Sequence, residues 1–248
     1  MITLSACLTN DCCFRCSIKT EGYCCAAGLN RSGVDRKTML EFNPLIKWKQ
    51  KFLPDNPIHI TGGEPFIHPG IKQGLIDCVK AGFDLTLFTN GYLLAKNSWA
   101  YDLPIKWCVT QHPGQMNNEQ FLEAIRPLKD RPHIVCRIFH DSDVPPFDIM
   151  DLYGDFNAKW VKANRGYYNF VERDVDNPDS PNCWIILIGK DGKVHSCSVP
   201  HADYGNVYDM TFDIEKAKKW HCPAGIFPTG CHTMQNAILF QEMGIVNK

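Results

Sequence analysis

Ile58-His59-Ile60-Thr61-Gly62-Gly63-Glu64-Pro65 is the stretch on which the reading of this chain turns. Its first four residues are β-branched apart from His59, which marks a strand. Two glycines, an acid and a proline then end the strand abruptly. Paired glycines let one stretch of backbone come unusually close to another group. Apolar residues at helical spacing follow from Gly70 to Ala81. Strand, tight loop and helix together make half of a βαβ unit.

The same alternation continues in both directions. Upstream, Ile2 to Ala6 reads as a strand. Residues from about Arg36 to Lys51 carry Met39, Leu40, Phe42, Leu45, Ile46 and Trp48 at helical spacing, and Pro54 and Pro57 end that helix. Downstream, Asp84 to Phe88 is a strand closed by the turn Thr89-Asn90-Gly91. Ile105 to Thr110 is a strand, Asn118 to Leu128 a helix, His133 to His140 a strand, and Lys159 to Ala163 a sixth strand. Strands separated by helices predict an α/β fold with a parallel sheet. Right-handed crossovers would curl it into a partial (β/α)6, TIM-like barrel. Chemistry in such folds sits on the loops after the strands, where Gly62-Gly63 and Thr89-Asn90 both fall.

Residues 164–182 are rich in Asn, Asp, Pro and Ser and read as a linker. Cys183 to Gly189 and Lys193 to Cys197 flank Lys190-Asp191-Gly192, a β-hairpin signal. A short helix from about Ile214 to Trp220 and another from about Met234 to Met243 follow. The expected division is a core over 1–165 and a linker with a small C-terminal extension over 166–248.

The chain has 248 residues, 44% hydrophobic and 21% charged, with a net charge of −1, which suits a folded domain with a full core. Near-neutral charge argues against a protein held to nucleic acid or anionic membrane by a bulk field. No apolar run approaches the ~20 residues of a membrane span, and the first residues carry no basic leader. A cytoplasmic, reducing location is the expectation. Disulfides are rare there, so clustered cysteines point to metal or catalysis.

Thirteen cysteines are present. Cys7, Cys12, Cys13, Cys16, Cys24 and Cys25 crowd the start. Cys183, Cys197, Cys222 and Cys231 gather near the end. Cys78, Cys108 and Cys136 lie between them and read as small core residues, although Cys136 facing the barrel interior could donate a hydrogen atom. A structural zinc site would account for either cluster by itself, but it leaves the Gly-Gly-Glu-Pro loop without a purpose.

Leu8-Thr9-Asn10-Asp11-Cys12, Cys16, and Tyr23 before Cys24 resemble the signature of the radical S-adenosylmethionine (SAM) superfamily, Cys-x3-Cys-x-aromatic-Cys. Lys19 stands where the third cysteine is usual, so the motif becomes Cys12-x3-Cys16-x7-Cys24, with Cys7, Cys13 and Cys25 as competitors and Cys7, Cys13 and Cys16 as the main rival set. Gly62-Gly63-Glu64-Pro65 matches the family's Gly-Gly-Glu-Pro, and Thr89-Asn90-Gly91 matches a frequent turn near the SAM ribose. The resemblance covers roughly residues 2–165. It implies a 4Fe–4S cluster on Cys12, Cys16 and Cys24 whose fourth iron binds SAM. It further implies SAM contacts from Gly62, Gly63, Glu64, Thr89 and Asn90, with Glu64 either adding charge or shaping the loop. Gln111 and Arg137 are further SAM-contact candidates. The activity implied is reductive cleavage of SAM to a 5′-deoxyadenosyl radical that abstracts a substrate hydrogen.

Cys183-x8-Gly192-x4-Cys197, followed by Gly205-Asn206-Val207, Cys222-Pro223-Ala224-Gly225 and Cys231, resembles the SPASM auxiliary-cluster domain and its shorter twitch relative. Gly225 and Gln235 replace two of the full domain's cysteines. The resemblance therefore implies a single auxiliary 4Fe–4S cluster on Cys183, Cys197, Cys222 and Cys231, aiding electron transfer or substrate positioning. The implied partners are a small-molecule or nucleotide-linked substrate and an external electron donor such as flavodoxin or ferredoxin. The alternatives are oxidation or cross-linking of a ribosomal peptide and, from a different class, a non-catalytic zinc-stabilised binding module. Oxidoreductase and isomerase outcomes both remain open.

Overall fold

The computed structural model describes residues 2–13, 37–111, 115–129, 134–140, 158–162, 185–195 and 203–219. Seven strands run parallel: β1 (Thr3–Cys7), β2 (Ile58–Thr61), β3 (Leu85–Thr89), β4 (Lys106–Gln111), β5 (Ile134–His140), β6 (Ala158–Lys162) and β7 (Ile185–Ile188). Two more, β8 (Lys193–His195) and β9 (Asp203–Asn206), add antiparallel neighbours. The order is β6-β5-β4-β3-β2-β1-β7-β8-β9. Among the described residues the sheet is open, with β6 and β9 at its edges, as a partial barrel requires. All six expected core strands form. Among the described residues the α-helices between them are α1 (Phe42–Phe52), α2 (Ile71–Lys80) and α3 (Asn118–Ile125), and α4 (Ile214–Lys218) follows β9.

Parallel pairing puts residues of like parity on one face. Leu4 and Ala6, Ile58 and Ile60, Leu85 and Leu87, and Trp107 and Val109 stand at matched registers. Each is 0–2% exposed. They form one core with Leu45 and Trp48 of α1, Ile71, Leu75 and Cys78 of α2, and Phe121 and Ile125 of α3. A continuous apolar face of this kind is what crossover helices cover. The other face carries Ser5, Cys7, His59, Thr61, Thr86, Phe88, Lys106, Cys108 and Thr110 in alternation. Cys78 and Cys108 are fully buried, as expected of small core residues.

Helix α1 begins at Phe42, later than the apolar spacing predicts. Leu40 is committed elsewhere: its N–H donates to Leu8 O at 2.9 Å, which ties the segment before the helix to the loop that follows β1. Pro44 falls within the first turn, where its missing N–H costs nothing. At the other end the Lys49 ammonium donates to Leu53 O at 3.1 Å and to Pro54 O at 2.9 Å, satisfying carbonyls that a helix end leaves open.

The C-terminal hairpin does not stand apart from the sheet. Strand β7 pairs in parallel with β1, from Thr3↔Ile185 to Ala6↔Ile188. Residues 208–212 then close over α1. Tyr208 Oη accepts from Glu41 N at 3.2 Å, Trp48 Nε1 donates to Thr211 O at 2.8 Å, and Phe212 packs edge-on against Trp48 at 4.9 Å. Strand β9, with no apolar alternation, has no counterpart in the sequence reading. The linker over 164–182 and the helix at Met234 to Met243 lie outside the described residues. No described helix is long and apolar enough to cross a membrane.

Candidate functional site

Because β1, β2 and β3 are adjacent and parallel, the loops leaving their C-terminal ends meet. The main-chain ladder continues past the strands to join them. Leu8 N donates to Thr61 O at 2.9 Å, Gly63 N to Thr9 O at 2.7 Å, and Glu64 N to Asp11 O at 2.8 Å. The glycines make this closeness possible. A Cβ on Gly63 would lie 2.0 Å from Asp11 O, and one on Gly62, whose φ is +150°, would lie 2.6 Å from Thr9 O. The close approach is thus to the cysteine-bearing loop itself.

Glu64 is fully buried and turned inward. Its carboxylate accepts from Phe66 N at 3.1 Å, from Thr89 Oγ1 at 2.9 and 3.1 Å, and from Asn90 N at 2.9 Å. Through these bonds Glu64 ties the second loop to the third. Burial is the largest influence on its acidity and raises the pKa from 4.5 to about 7, against the opposing pull of the Asn90, Phe66 and Thr89 bonds.

That shift has a consequence for stability. Below pH 4.5 both folded and unfolded chains hold the proton, and the contribution of this group is fully present. As pH rises from there through about 7, the unfolded chain ionises first and the contribution is lost. The gap is worth about 3 kcal/mol. Urea unfolding between pH 5 and 8 is therefore expected to show wild type weakening with rising pH, and Glu64→Gln showing a shallower slope. Parallel profiles would refute the assignment.

Asn90 is 4% exposed and faces the first loop. Its Oδ1 accepts from Tyr92 N at 3.0 Å, while its Nδ2 lies 3.3 Å from Cys13 Sγ and 3.6 Å from Cys12 Sγ. Cys12 N in turn donates to Asp11 Oδ1 at 3.1 Å. The Cys12 side chain pulls the Cys13 thiol below its ordinary pKa; burial opposes this and the Asn90 amide adds to it. Cys7 is used within its own loop, with its Sγ 3.5 Å from Thr9 O and from Asn10 Oδ1.

The structure thus joins Cys12, Gly62, Gly63, Glu64, Thr89 and Asn90 in one network of contacts. Gln111 lies on the helix-side register with Trp107 and Val109, and its Nε2 donates to Asn118 Oδ1 at 2.7 Å. Arg137 stands beside Thr110 by strand pairing. Cys16, Cys24, Cys183, Cys197, Cys222 and Cys231 lie outside the described residues, so the complete ligand sets do too. Among the described residues no three His, Cys, Asp or Glu side chains gather as a metal site. The meeting of Cys13 with Asn90 was not legible in the sequence, because 77 positions separate them. Half-buried thiols at the ends of parallel strands are soft donors and fit an iron–sulfur cluster.

No protein-family model matches the chain. Among curated proteins, a GTP 3',8-cyclase from Crocosphaera subtropica is 36% identical over 101 residues, which is 39% of this chain and 28% of that enzyme. A GTP 3',8-cyclase from Campylobacter fetus is 44% identical over 45 residues, 17% of this chain and 14% of that enzyme. The matches thus span less than a third of those relatives' lengths. Among solved structures, Streptococcus suis SuiB bound to S-adenosylmethionine aligns over 84% of this chain and 63% of its own, at 14% identity and a TM-score of 0.46. SuiB bound to its precursor peptide SuiA aligns over 88% and 64%, at 13% identity and a TM-score of 0.46.

Proposed function

We propose that this chain, an enzyme of the radical SAM superfamily, holds a SAM-binding 4Fe–4S cluster on Cys12, Cys16 and Cys24 and abstracts hydrogen from a small-molecule or nucleotide-linked substrate. The observation that carries the reading is the convergence of Cys12, the Gly62-Gly63 loop and Asn90 at the C-terminal ends of β1, β2 and β3. A cluster bound there would supply reducing power for SAM cleavage and, through it, hydrogen abstraction from the substrate. The protein's own part is positioning. Gly62 and Gly63 bring the second loop against the cysteine loop, and Glu64 fastens the third loop to both. Gly62, Gly63 and Thr89 would border SAM, and Gln111 and Arg137 on β4 and β5 are further candidates for contacting it.

The sheet face opposite the helices leads toward this site. Ser5, His59, Thr61, Thr86 and Thr110 give it polar groups beside Phe88 and Cys108, a mixed lining compatible with a hydroxyl-bearing or nucleotide-linked substrate. The matched stretch of the GTP 3',8-cyclases favours the nucleotide-linked class. Cys183, Cys197, Cys222 and Cys231 would hold one auxiliary 4Fe–4S cluster, next to a hairpin that already extends the sheet beside β1. An external flavodoxin- or ferredoxin-type donor would supply electrons.

Anaerobic purification and reconstitution of the full chain tests the reading. The expected result is a brown protein with iron and sulfide for two clusters that converts SAM to 5′-deoxyadenosine under dithionite. A colourless protein with stoichiometric zinc and no iron would establish the binding-module alternative instead.

A further inference from the structure

Asn90 is placed by three independent constraints. Its main-chain N–H is held by the Glu64 carboxylate at 2.9 Å, its Oδ1 by the Tyr92 N–H at 3.0 Å, and its side chain is almost wholly excluded from solvent. The orientation of the amide follows. Turning it over would set Nδ2 against the Tyr92 N–H, donor against donor, so the nitrogen must face the other way. What it faces are the two sulfurs, at 3.3 and 3.6 Å. The alternative contact, from the Cys13 thiol to Asn90 Oδ1, is longer at 3.8 Å. A buried amide nitrogen requires acceptors, and an amide group carries two N–H donors for the two sulfurs.

We propose that the Asn90 carboxamide donates N–H bonds to the cluster-binding cysteine, making it a positioning residue that sets the potential of the SAM-binding cluster rather than a contact to the SAM ribose. The inference rests on the reading of Cys12 as a cluster ligand, and it holds equally if Cys13 is the ligand. Hydrogen bonds to the sulfurs of an iron–sulfur cluster offset the negative charge gained on reduction, so they raise its reduction potential. An amide fixed at both ends gives that effect without reorganising between redox states.

The test is a redox titration of the reconstituted full chain, followed by electron paramagnetic resonance, for wild type, Asn90→Ala and Asn90→Asp. Wild type comes first. A reduced-cluster signal that changes on adding SAM is required, and its absence would sink the cluster reading itself, whatever Asn90 does. With that signal present, its midpoint is expected to move to more negative potential in both variants, while any second cluster's midpoint stays in place. Alanine removes the donors and the bond to Tyr92. Aspartate keeps an acceptor for Tyr92 and adds charge. The lost donors are the one change common to both, so an unshifted midpoint in either variant overturns the proposal. Pulsed measurements on wild type, with a nitrogen isotope label in asparagine, need no folded variant. They are expected to show a weak nitrogen coupling to the SAM-responsive cluster, and its absence would also overturn the proposal.

Discussion

Cys12→Ala, Cys16→Ala and Cys24→Ala are each expected to lower 5′-deoxyadenosine formation to the background of an enzyme-free control. In the proposed set, three thiolates would leave one iron free for SAM, and removing any one would leave a second iron without a protein ligand. The loss should therefore be nearly total. On the proposed ligand sets, in which Cys183, Cys197, Cys222 and Cys231 would hold a second cluster, iron content should fall by about one cluster. Cys7→Ala and Cys13→Ala are the informative companions. The Cys7 thiol is engaged within its own loop, with Thr9 O and Asn10 Oδ1, so its replacement should spare the cluster. Cys13 sits beside Cys12 and shares the Asn90 amide, so its replacement should leave activity measurable but reduced. Retained activity in Cys24→Ala, with loss in Cys7→Ala and Cys13→Ala, would establish the rival set of Cys7, Cys13 and Cys16.

Gly63→Ala is expected to be the most damaging single methyl group that can be added to this site. The new Cβ would fall 2.0 Å from Asp11 O and 2.6 Å from Asp11 C, where real Cβ atoms essentially never come within 3.0 Å. Both are main-chain atoms, so no side chain can swing aside. The two loops must separate, which breaks the bonds from Gly63 N to Thr9 O and from Glu64 N to Asp11 O. Overpacking costs about 1–3 kcal/mol, and two lost buried main-chain bonds add roughly 1 kcal/mol each. A loss of about 3–5 kcal/mol in urea unfolding is expected, together with failure to incorporate the cluster near Cys12. Gly82→Ala is the control for handling a glycine variant, because nothing lies within 4 Å of its added Cβ. Its cost comes only from a φ of +75°, and cluster loading should be retained. Wild-type stability and iron content in Gly63→Ala would refute the loop-clasp description.

Particular elements show how far the sequence could be read. Strand β2 falls at Ile58–Thr61 as the alternation predicts, and α2 falls within one residue of its predicted ends. Both are regular, strongly patterned and bounded by Gly or Pro, so local chemistry decides them. Helix α1 starts later than its pattern because Leu40 is recruited by Leu8, a contact that no window of sequence contains. Strand β9 carries no local signal for the same kind of reason. Asp203–Asn206 has no apolar alternation and is extended because β8 offers it an edge.

The site divides along the same line. The residue types, the Cys12-x3-Cys16 spacing and the Gly-Gly-Glu-Pro loop are covalent facts of the chain, and with the strand–helix alternation they determined the fold class and the chemistry to expect. Which groups touch was decided only by the tertiary structure. Parallel pairing of β1, β2 and β3 brought loops 8–13, 62–65 and 90–92 together. It turned Glu64 inward, because three donors awaited a buried carboxylate there. It aimed the Asn90 amide at sulfurs 77 and 78 positions away. The physical reason is range: side-chain periodicity and turn chemistry act over a few residues and are written locally. Hydrogen-bond partners across a sheet are chosen by strand order and register, which exist only once the whole core has formed.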